Sequence, residues 1–485
     1  MRLIQLDDRP VHTDEAVNAV IVADGLAGGV YHYDPRDRHG PALYYLETPL
    51  CRLLGVRGLA DMEAWELRAG SALVSASTLL LLGLLPEAAP GAILAAALFF
   101  GLGAPFVFYG RYALHEPILI FGTLLLLGAG WRFWSEGRLR WAVLAGLGLG
   151  IAACAKESAL ATFAAIVIAL ALCSWPASSR RHWADHRAGT LTRKRGQAAV
   201  AVAAVVALLT ILAGYSSMGR NPAGLLDVLR AIPLSLARAT GQGHQKPWWT
   251  YLAWLAKPTP LGLPWFGWLV LGCGSFGAAR SFSPRSDAPL MRFFAILGAI
   301  LFVVYAATPY KTPWLMLNFL APMSVVAGYG FASIWSSRDR TVRWPAAILA
   351  SCLAAGLLAR ESDPLCFRYP DEPFNPYSYS PTSPDLSRLA TRLEELAAAS
   401  ARGRNLVIQV AAPDYWPLPW YLRKFPRVGY WGHLPAQLSG DAIITSLDEA
   451  PAVETMLGAG WHREPFGLRA DILILLYTRE VPSHG

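Results

Sequence analysis

Five short stretches of this chain carry side chains able to move a proton or hold charge. "RPVHTDEA" sets His12, Asp14 and Glu15 together, and "YHYDPRDRHGPALYYL" carries Asp34, Asp37, His39 and Gly40. "YGRYALHEPILIF" packs Arg111, His115 and Glu116 into one turn, "CAKESAL" adds Lys156 and Glu157, and "PYKTPWLML" adds Lys311. Carboxylates of this kind can take a proton from an acceptor hydroxyl or bind a divalent metal. Arginine and lysine can hold a phosphate and stabilise its charge as it leaves. Each stretch also has a plainer reading. Asp14 and Glu15 suit the first turn of a helix, with Thr13 or Asp14 as its cap. The Asp34 to Gly40 stretch suits a polar loop entering an aromatic interfacial helix, and lone lysines snorkel at membrane boundaries. Snorkelling accounts for one lysine. It does not account for two on the face with fewer basic residues, nor for Arg, His and Glu sharing a short turn between two apolar runs.

The rest of the chain must position these residues, and most of it seeks hydrocarbon. Of 485 residues 54% are hydrophobic and only 16% charged, which excludes an ordinary soluble protein. The net charge of +8 comes from basic residues clustered between apolar runs, so it orients a membrane protein rather than binding nucleic acid. The six cysteines show neither metal-ligand nor disulfide spacing. Residues 1–10, "MRLIQLDDRP", lack the apolar core of a signal peptide and read as the last turn of a helix whose beginning is missing. Ten apolar runs follow, at about 68–86, 90–108, 117–134, 141–155, 158–175, 198–217, 261–279, 291–308, 313–335 and 344–360. The run at 141–155 is rich in Gly and Ala, as expected of a helix packed inside a bundle. Threaded alternately, the spans put Arg138 and Arg140, then Arg180 to Arg195, then Arg280, Arg285 and Arg292, then Arg338, Arg340 and Arg343 on one side. That side is expected to be cytoplasmic. All five chemical stretches, the segment 218–260 and the C-terminal region then fall outside.

Within the outer segment, "AGLLDVLRAIPLSLARA" is amphipathic and suited to lie in the interface. The aromatic "KPWWTYLAWL" that follows suits the headgroup level. A Pro- and Tyr-rich linker occupies 361–385. After it a helix ("LSRLATRLEELAAASA"), the strands "NLVIQV" and "DAIITS", a second helix ("LDEAPAVETMLGAG") and the strand "DILILLYTR" predict a small soluble α/β domain. The expected architecture is therefore mainly α. A polytopic membrane domain (1–360) with about ten transmembrane helices is followed by a linker and an extracytoplasmic α/β domain over 386–485.

The motifs "RPVHTDEA", "HGPALYYL", "RYALHEP", "AKES", "GHQKPWWTYL" and "YKTPWL" resemble those of integral-membrane glycosyltransferases of the C-type fold. Within that fold the chain looks like the family of protein O-mannosyltransferases and lipid A aminoarabinose transferases, and most like a flippase-activity-associated subgroup. The resemblance implies a multi-pass enzyme of the cell (inner) membrane that takes a sugar from a polyprenyl phosphate. It transfers the sugar, with inversion, to a protein, lipid or glycan acceptor on the extracytoplasmic face. It implies Asp14 as the catalytic base with Glu15 beside it, and Glu116 as a second acidic site with Arg111 adjacent. Lys156 and Lys311 become candidates for the donor phosphate, with His115, His39 and His244 lining the site. Members of the wider fold differ in their use of a divalent metal, so a cation at Asp14 and Glu116 stays an open alternative. The family's first membrane helix is missing from the chain. A transporter or flippase for lipid-linked sugar is the rival reading. Against it stand the lack of an internal repeat and the gathering of charges at one face rather than at mid-depth.

Overall fold

The computed structural model describes residues 1–85, 90–174, 187, 189, 191–240, 245–283, 288–335 and 340–479. The candidate His244 lies outside the described residues, as do Arg180, Arg181, Arg285 and Arg338 of the basic loops. Each of the ten apolar runs falls on a helix. These are α3 (Ala64–Leu81), α4 (Pro90–Leu102) with α5 (Ala104–Tyr109), α6 (Glu116–Glu136), α7 (Leu139–Ala155), α8 (Ala159–Ser174) and α9 (Arg193–Tyr215). After α10 (Gly224–Thr240) and α11 (Thr250–Ala256) come α12 (Trp265–Ser281), α13 (Pro289–Ala307), α14 (Leu317–Ser333) and α15 (Arg340–Asp363). Among the described residues, Ala64–Leu84, Glu116–Glu136, Arg193–Tyr215, Pro289–Ala307 and Pro313–Ser333 are long and apolar enough to cross a membrane, and Pro90–Leu102, Leu139–Ala155 and Ala159–Cys173 are shorter apolar helices. Helices satisfy their own backbone polar groups, which is why hydrocarbon-seeking sequence takes this form. The run at 90–108 is broken at Gly103, where a β-carbon would lie 2.4 Å from the Phe266 ring.

Small residues set the packing. α6 and α7 run antiparallel with their backbones in contact: a β-carbon on Gly122 would sit 2.7 Å from Ala152 N, and one on Gly148 2.5 Å from Leu126 N. On the other side of α7, a β-carbon on Gly146 would meet Ala203 O of α9 at 2.4 Å. The Gly- and Ala-rich α7 is thus wedged between two neighbours, as its composition predicts. The Pro313–Ser333 segment is 83% buried inside the protein over its most apolar window, whereas Arg193–Tyr215 is 22% buried and turns Val200 and Leu209 outward. α14 is therefore central and α9 peripheral.

Two helices precede this bundle, α1 (Thr13–Leu26) and the amphipathic α2 (Ala42–Leu53). Glu47 joins α2 to α3 by accepting hydrogen bonds from Gly70 N (3.1 Å), Ser71 N (2.8 Å) and Ser71 Oγ (2.9 Å). The C-terminal region forms α16 (Asp385–Ala399), β1 (Ile408–Ala411), α17 (Leu418–Tyr421), β2 (Val428–Trp431), β3 (Ala442–Ser446), α18 (Ala450–Leu457), β4 (Trp461–Arg469) and β5 (Ile472–Arg479). The sheet order is β2-β1-β3-β5-β4, with β1 parallel to both its neighbours and β5 antiparallel to both of its own. α16 buries Leu386, Leu389, Leu393 and Ala397, the stripe expected of an amphipathic helix.

The C-terminal region closes on the N-terminal one. Val11 donates its N–H to Tyr421 Oη at 3.0 Å and accepts from Thr382 Oγ1 at 2.9 Å. Arg423 Nε donates to Met62 O at 3.1 Å. The stretch before α1 is pinned from the bundle as well: Arg68 donates to the carbonyls of Leu6, Arg9 and Pro10.

Candidate active site

The site is assembled around the N-terminus of α1. Its cap is His12, not Thr13 or Asp14: His12 Nδ1 accepts from Asp14 N (3.1 Å), and Glu15 Oε2 accepts from His12 N (3.0 Å). This reciprocal box satisfies helix-end donors and fixes where the next two acids point. The imidazole is oriented further by Nε2, 3.0 Å from Tyr379 O, and by edge contacts with Tyr112 and Trp314. A ring that accepts at Nδ1 and donates at Nε2 is a single neutral tautomer.

The two neighbouring acids then part ways. Glu15 is fully buried, and both its oxygens are gripped by Arg68, Nε to Oε1 and Nη2 to Oε2, each at 2.7 Å. Ala113 N donates to the same carboxylate at 3.1 Å, and Arg9 stands 3.9 Å away. Burial pushes this carboxyl up, but the Arg68 charge and fork of hydrogen bonds, with Arg9 and the His12 amide, outweigh it and hold Glu15 at about 2. Asp14 is different: its side chain is 47% exposed, and the His12 ring nitrogen Nδ1 stands 4.0 Å from its Oδ2. Of the acidic pair, Asp14 has the solvent access that a proton acceptor needs.

A second cluster forms where the turn before α6 meets the end of α7. Lys156 Nζ lies 2.5 Å from Glu116 Oε1, with Glu116 essentially inaccessible. Burial lowers the Lys156 ammonium, and the Glu116 carboxylate more than restores it, so Lys156 stays charged. Beside this pair His39 Nδ1 is 2.9 Å from Glu157 Oε2, and Tyr33 Oη donates to Glu157 Oε1 at 2.8 Å. Burial opposes ionisation of Glu157, but its hydrogen bonds, that with His39 first and that with Tyr33 after it, outweigh burial and keep the carboxylate ionised. His115 is buried 5.1 Å from the His39 ring, its Nε2 has no hydrogen-bond partner among the described residues, and burial drives its basicity well below the ordinary range. Gly40 explains how the "HGP" loop gets this close: a β-carbon there would lie 2.2 Å from Cys154 O at the end of α7.

The turn at 111–116 ties the clusters together. Its Ala113 N reaches Glu15, its Arg111 O accepts from Arg9, and its Ala113 O accepts from Asn18 Nδ2 at 2.9 Å. Asn18 Oδ1 accepts in turn from Tyr44 Oη, whose ring meets His115 at 5.6 Å and which lies within electrostatic reach of both Asp14 and Glu157. Asp14, Glu15, His39, His115, Glu116 and Lys156 are thus brought to one region. Two candidates stand differently. Arg111 donates to the backbone carbonyls of Cys366, Ile4 and Gln5 and stacks over Phe367. Lys311 is buried, donates to Thr308 O and lies 5.9 Å over the Tyr251 ring, and burial lowers its basicity.

Sequence reading missed four participants: Arg68, Arg9, Glu157 as the partner of His39, and Asp371. Asp371, in the linker, is within electrostatic reach of Arg9, Arg68, Glu15 and His12, and burial raises it to about 6. Arg9 sits 3.3 Å over the Tyr112 ring, with Nε and Nη1 lacking partners among the described residues. Among those residues no three His, Cys, Asp or Glu side chains converge, and Glu116 is committed to Lys156. The side chains present do not form a metal cage.

Residues 54–216 match the sequence profile of the dolichyl-phosphate-mannose-protein mannosyltransferase family. No curated protein matches the chain in sequence. Among solved structures the apo ArnT of Cupriavidus metallidurans superposes with a TM-score of 0.64 at 11% identity, covering 98% of this chain and 95% of that one. The same protein bound to undecaprenyl phosphate gives 0.64 at 14% identity, covering 99% and 96%. The oligosaccharyltransferase of Archaeoglobus fulgidus gives 0.51 at 11% identity over 99% of this chain and 70% of its own.

Proposed function

Since this chain has the C-type fold of membrane glycosyltransferases, with the mannosyltransferase sequence pattern over 54–216, we propose that it transfers a sugar from a polyprenyl-phosphate donor to an acceptor hydroxyl at the extracytoplasmic face. The observation that carries the mechanism is the division of labour in the acidic pair: Glu15 is locked, Asp14 is open. Asp14 takes the proton of the acceptor hydroxyl as that oxygen attacks the anomeric carbon from the face opposite the phosphate. The bond between the anomeric carbon and the phosphate oxygen breaks, and the configuration inverts. The departing polyprenyl phosphate carries the electron pair away, and Lys156 stabilises it. An ammonium has three donors, so pairing with Glu116 leaves two for phosphate. Glu15, Arg68 and Arg111 position: they hold the 1–12 segment and the 111–116 turn in register, and do not touch the reacting atoms. No step runs through a metal.

The test is transfer by purified protein reconstituted in lipid, offered radiolabelled polyprenyl-phosphate sugars and a membrane extract as acceptor source. Label should move to a new product with the wild type and not with Asp14→Asn. Label that crosses the bilayer while staying on its lipid would favour the flippase instead, and equal transfer by Asp14→Asn would remove Asp14 from the chemistry.

A further inference from the structure

The His39–Glu157 pair is not needed to explain either the base or the phosphate cation, yet it is built with care. A carboxylate only accepts hydrogen bonds, so the imidazole nitrogen facing it, Nδ1, carries the hydrogen. In the neutral ring Nε2 is then a bare lone pair, and it makes no hydrogen bond among the described residues. The His39 side chain is 35% exposed and that of Glu157 9%, so the carboxylate sits behind the ring and the ring faces outward. Tyr33 holds the other carboxylate oxygen, which prevents Glu157 from turning away. Tyr33 also lines a cleft of about 560 Å³ between the 33–36 loop and α10, together with Asp34, Arg36, Asp227 and Arg230. The size lies within the range of small-molecule sites, and two carboxylates and two arginines beside an aromatic ring, Asp227 being paired with Arg230 at 2.8 Å, offer both acceptors and donors to a polar ligand. Behind the ring stands His115, 98% buried with an unpartnered Nε2 of its own. Glu116 directly follows His115 and Lys156 directly precedes Glu157 in the chain, so whatever His39 touches lies close to the Glu116–Lys156 pair.

We propose that the Glu157–His39 pair recognises a hydroxyl of the donor's sugar, His39 Nε2 accepting its hydrogen bond while Glu157 and Tyr33 fix the tautomer. This rests on the reading of the chain as a polyprenyl-phosphate sugar transferase. His39 is a binding residue and Glu157 a positioning residue. Because Nε2 is an acceptor, the pair selects sugars that present a free hydroxyl there over those in which that oxygen is missing or alkylated.

Full-length protein in nanodiscs would be titrated with undecaprenyl phosphate and with undecaprenyl phosphate carrying mannose, glucose, galactose or aminoarabinose. The wild type should bind at least one sugar lipid roughly tenfold more tightly than the bare lipid, the value of one well-made hydrogen bond in a desolvated site. Glu157→Gln offers its amide to Nδ1, moves the ring hydrogen to Nε2, and should erase that preference without changing the affinity for bare lipid. His39→Ala should erase it too, and His39→Gln, which keeps an acceptor oxygen, should restore part of it. A merely structural role would weaken both lipids together. A preference surviving in Glu157→Gln and His39→Ala, a parallel loss for both lipids, or a wild type that binds sugar lipid and bare lipid equally would overturn the inference. A wild type that binds neither lipid would instead overturn the transferase reading on which it rests.

Discussion

Replacing Glu15 by Gln should cost stability, and replacing Asp14 by Asn should cost activity alone. The Glu15 carboxyl moves from its ordinary 4.5 to about 2 in the folded protein. At 1.36 kcal/mol per pH unit this is worth ~3 kcal/mol of folding free energy at neutral pH, in line with the ~3–5 kcal/mol lost when one partner of a buried ion pair is removed. Glu15→Gln keeps the shape but leaves the Arg68 guanidinium buried without its counter-charge. Asp14, half-exposed and unbridged, gives up at most ~0.5 kcal/mol of helix-dipole stabilisation. The assay is reversible denaturation in nanodiscs, run from pH 8 down to pH 3 for wild type and both variants. A depressed acid stabilises above its unfolded value and loses that contribution as pH falls through its folded one. The gap between wild type and Glu15→Gln should therefore be constant from pH 8 to about pH 5 and narrow steadily below pH 4.5. A Glu15→Gln protein as stable as wild type at pH 7, or an Asp14→Asn protein that loses as much as Glu15→Gln, would refute the division of roles within the acidic pair.

Three further outcomes follow from the same geometry. Lys156→Met should strand the buried Glu116 carboxylate and destabilise by ~3–5 kcal/mol; adding Glu116→Gln should recover most of that in a double-mutant cycle while transfer stays lost. Asp371 is raised from 3.8 to about 6, so the folded protein binds this proton more tightly than the unfolded chain and the wild type loses stability as pH climbs through that window; Asp371→Asn should be more stable by ~3 kcal/mol at pH 7.5, with the difference fading below pH 4. Tyr421→Phe leaves the buried Val11 amide without its acceptor and should cost ~1–2 kcal/mol by chemical denaturation, with affinity for undecaprenyl phosphate unchanged.

The apolar runs were legible because hydrocarbon tolerates so few backbone forms, and their helices begin or end within a few residues of the expected limits. The α16 stripe was legible from its helical period, and the strands β1, β3 and β5 from short, nearly continuous apolar runs. The strands β2 and β4 were not. "VGYW" has no residue that is fully buried, and the first half of "WHREPFGLR" faces solvent, so neither carries an alternating apolar signature. At the site, sequence could show which side chains were able to do chemistry but not which were already occupied. Arg68 reads as the boundary of a span, and its ion pair with Glu15 crosses 53 positions. The His39–Glu157 pair crosses 118. Arg111 looked like a free cation beside Glu116, and only the fold reveals the carbonyls of Ile4, Gln5 and Cys366 waiting for it. Asp371 sits in a linker whose Pro- and Tyr-rich composition conceals a half-buried acid.

The two hydrogen bonds on Val11 also order events in time. This residue, three before Asp14, is satisfied by Thr382 and Tyr421, which lie 371 and 410 positions further on. A ribosome emits the Asp14 segment well before these clamps, so every apolar run between them leaves the ribosome before the N-terminal end of α1 has anything to close against. The nascent chain therefore passes through the membrane with its acid loose and its site unformed. Both contacts of Val11 form only when the C-terminal region folds and docks: a chain that stops short of it can carry every apolar run and still leave this segment unclamped.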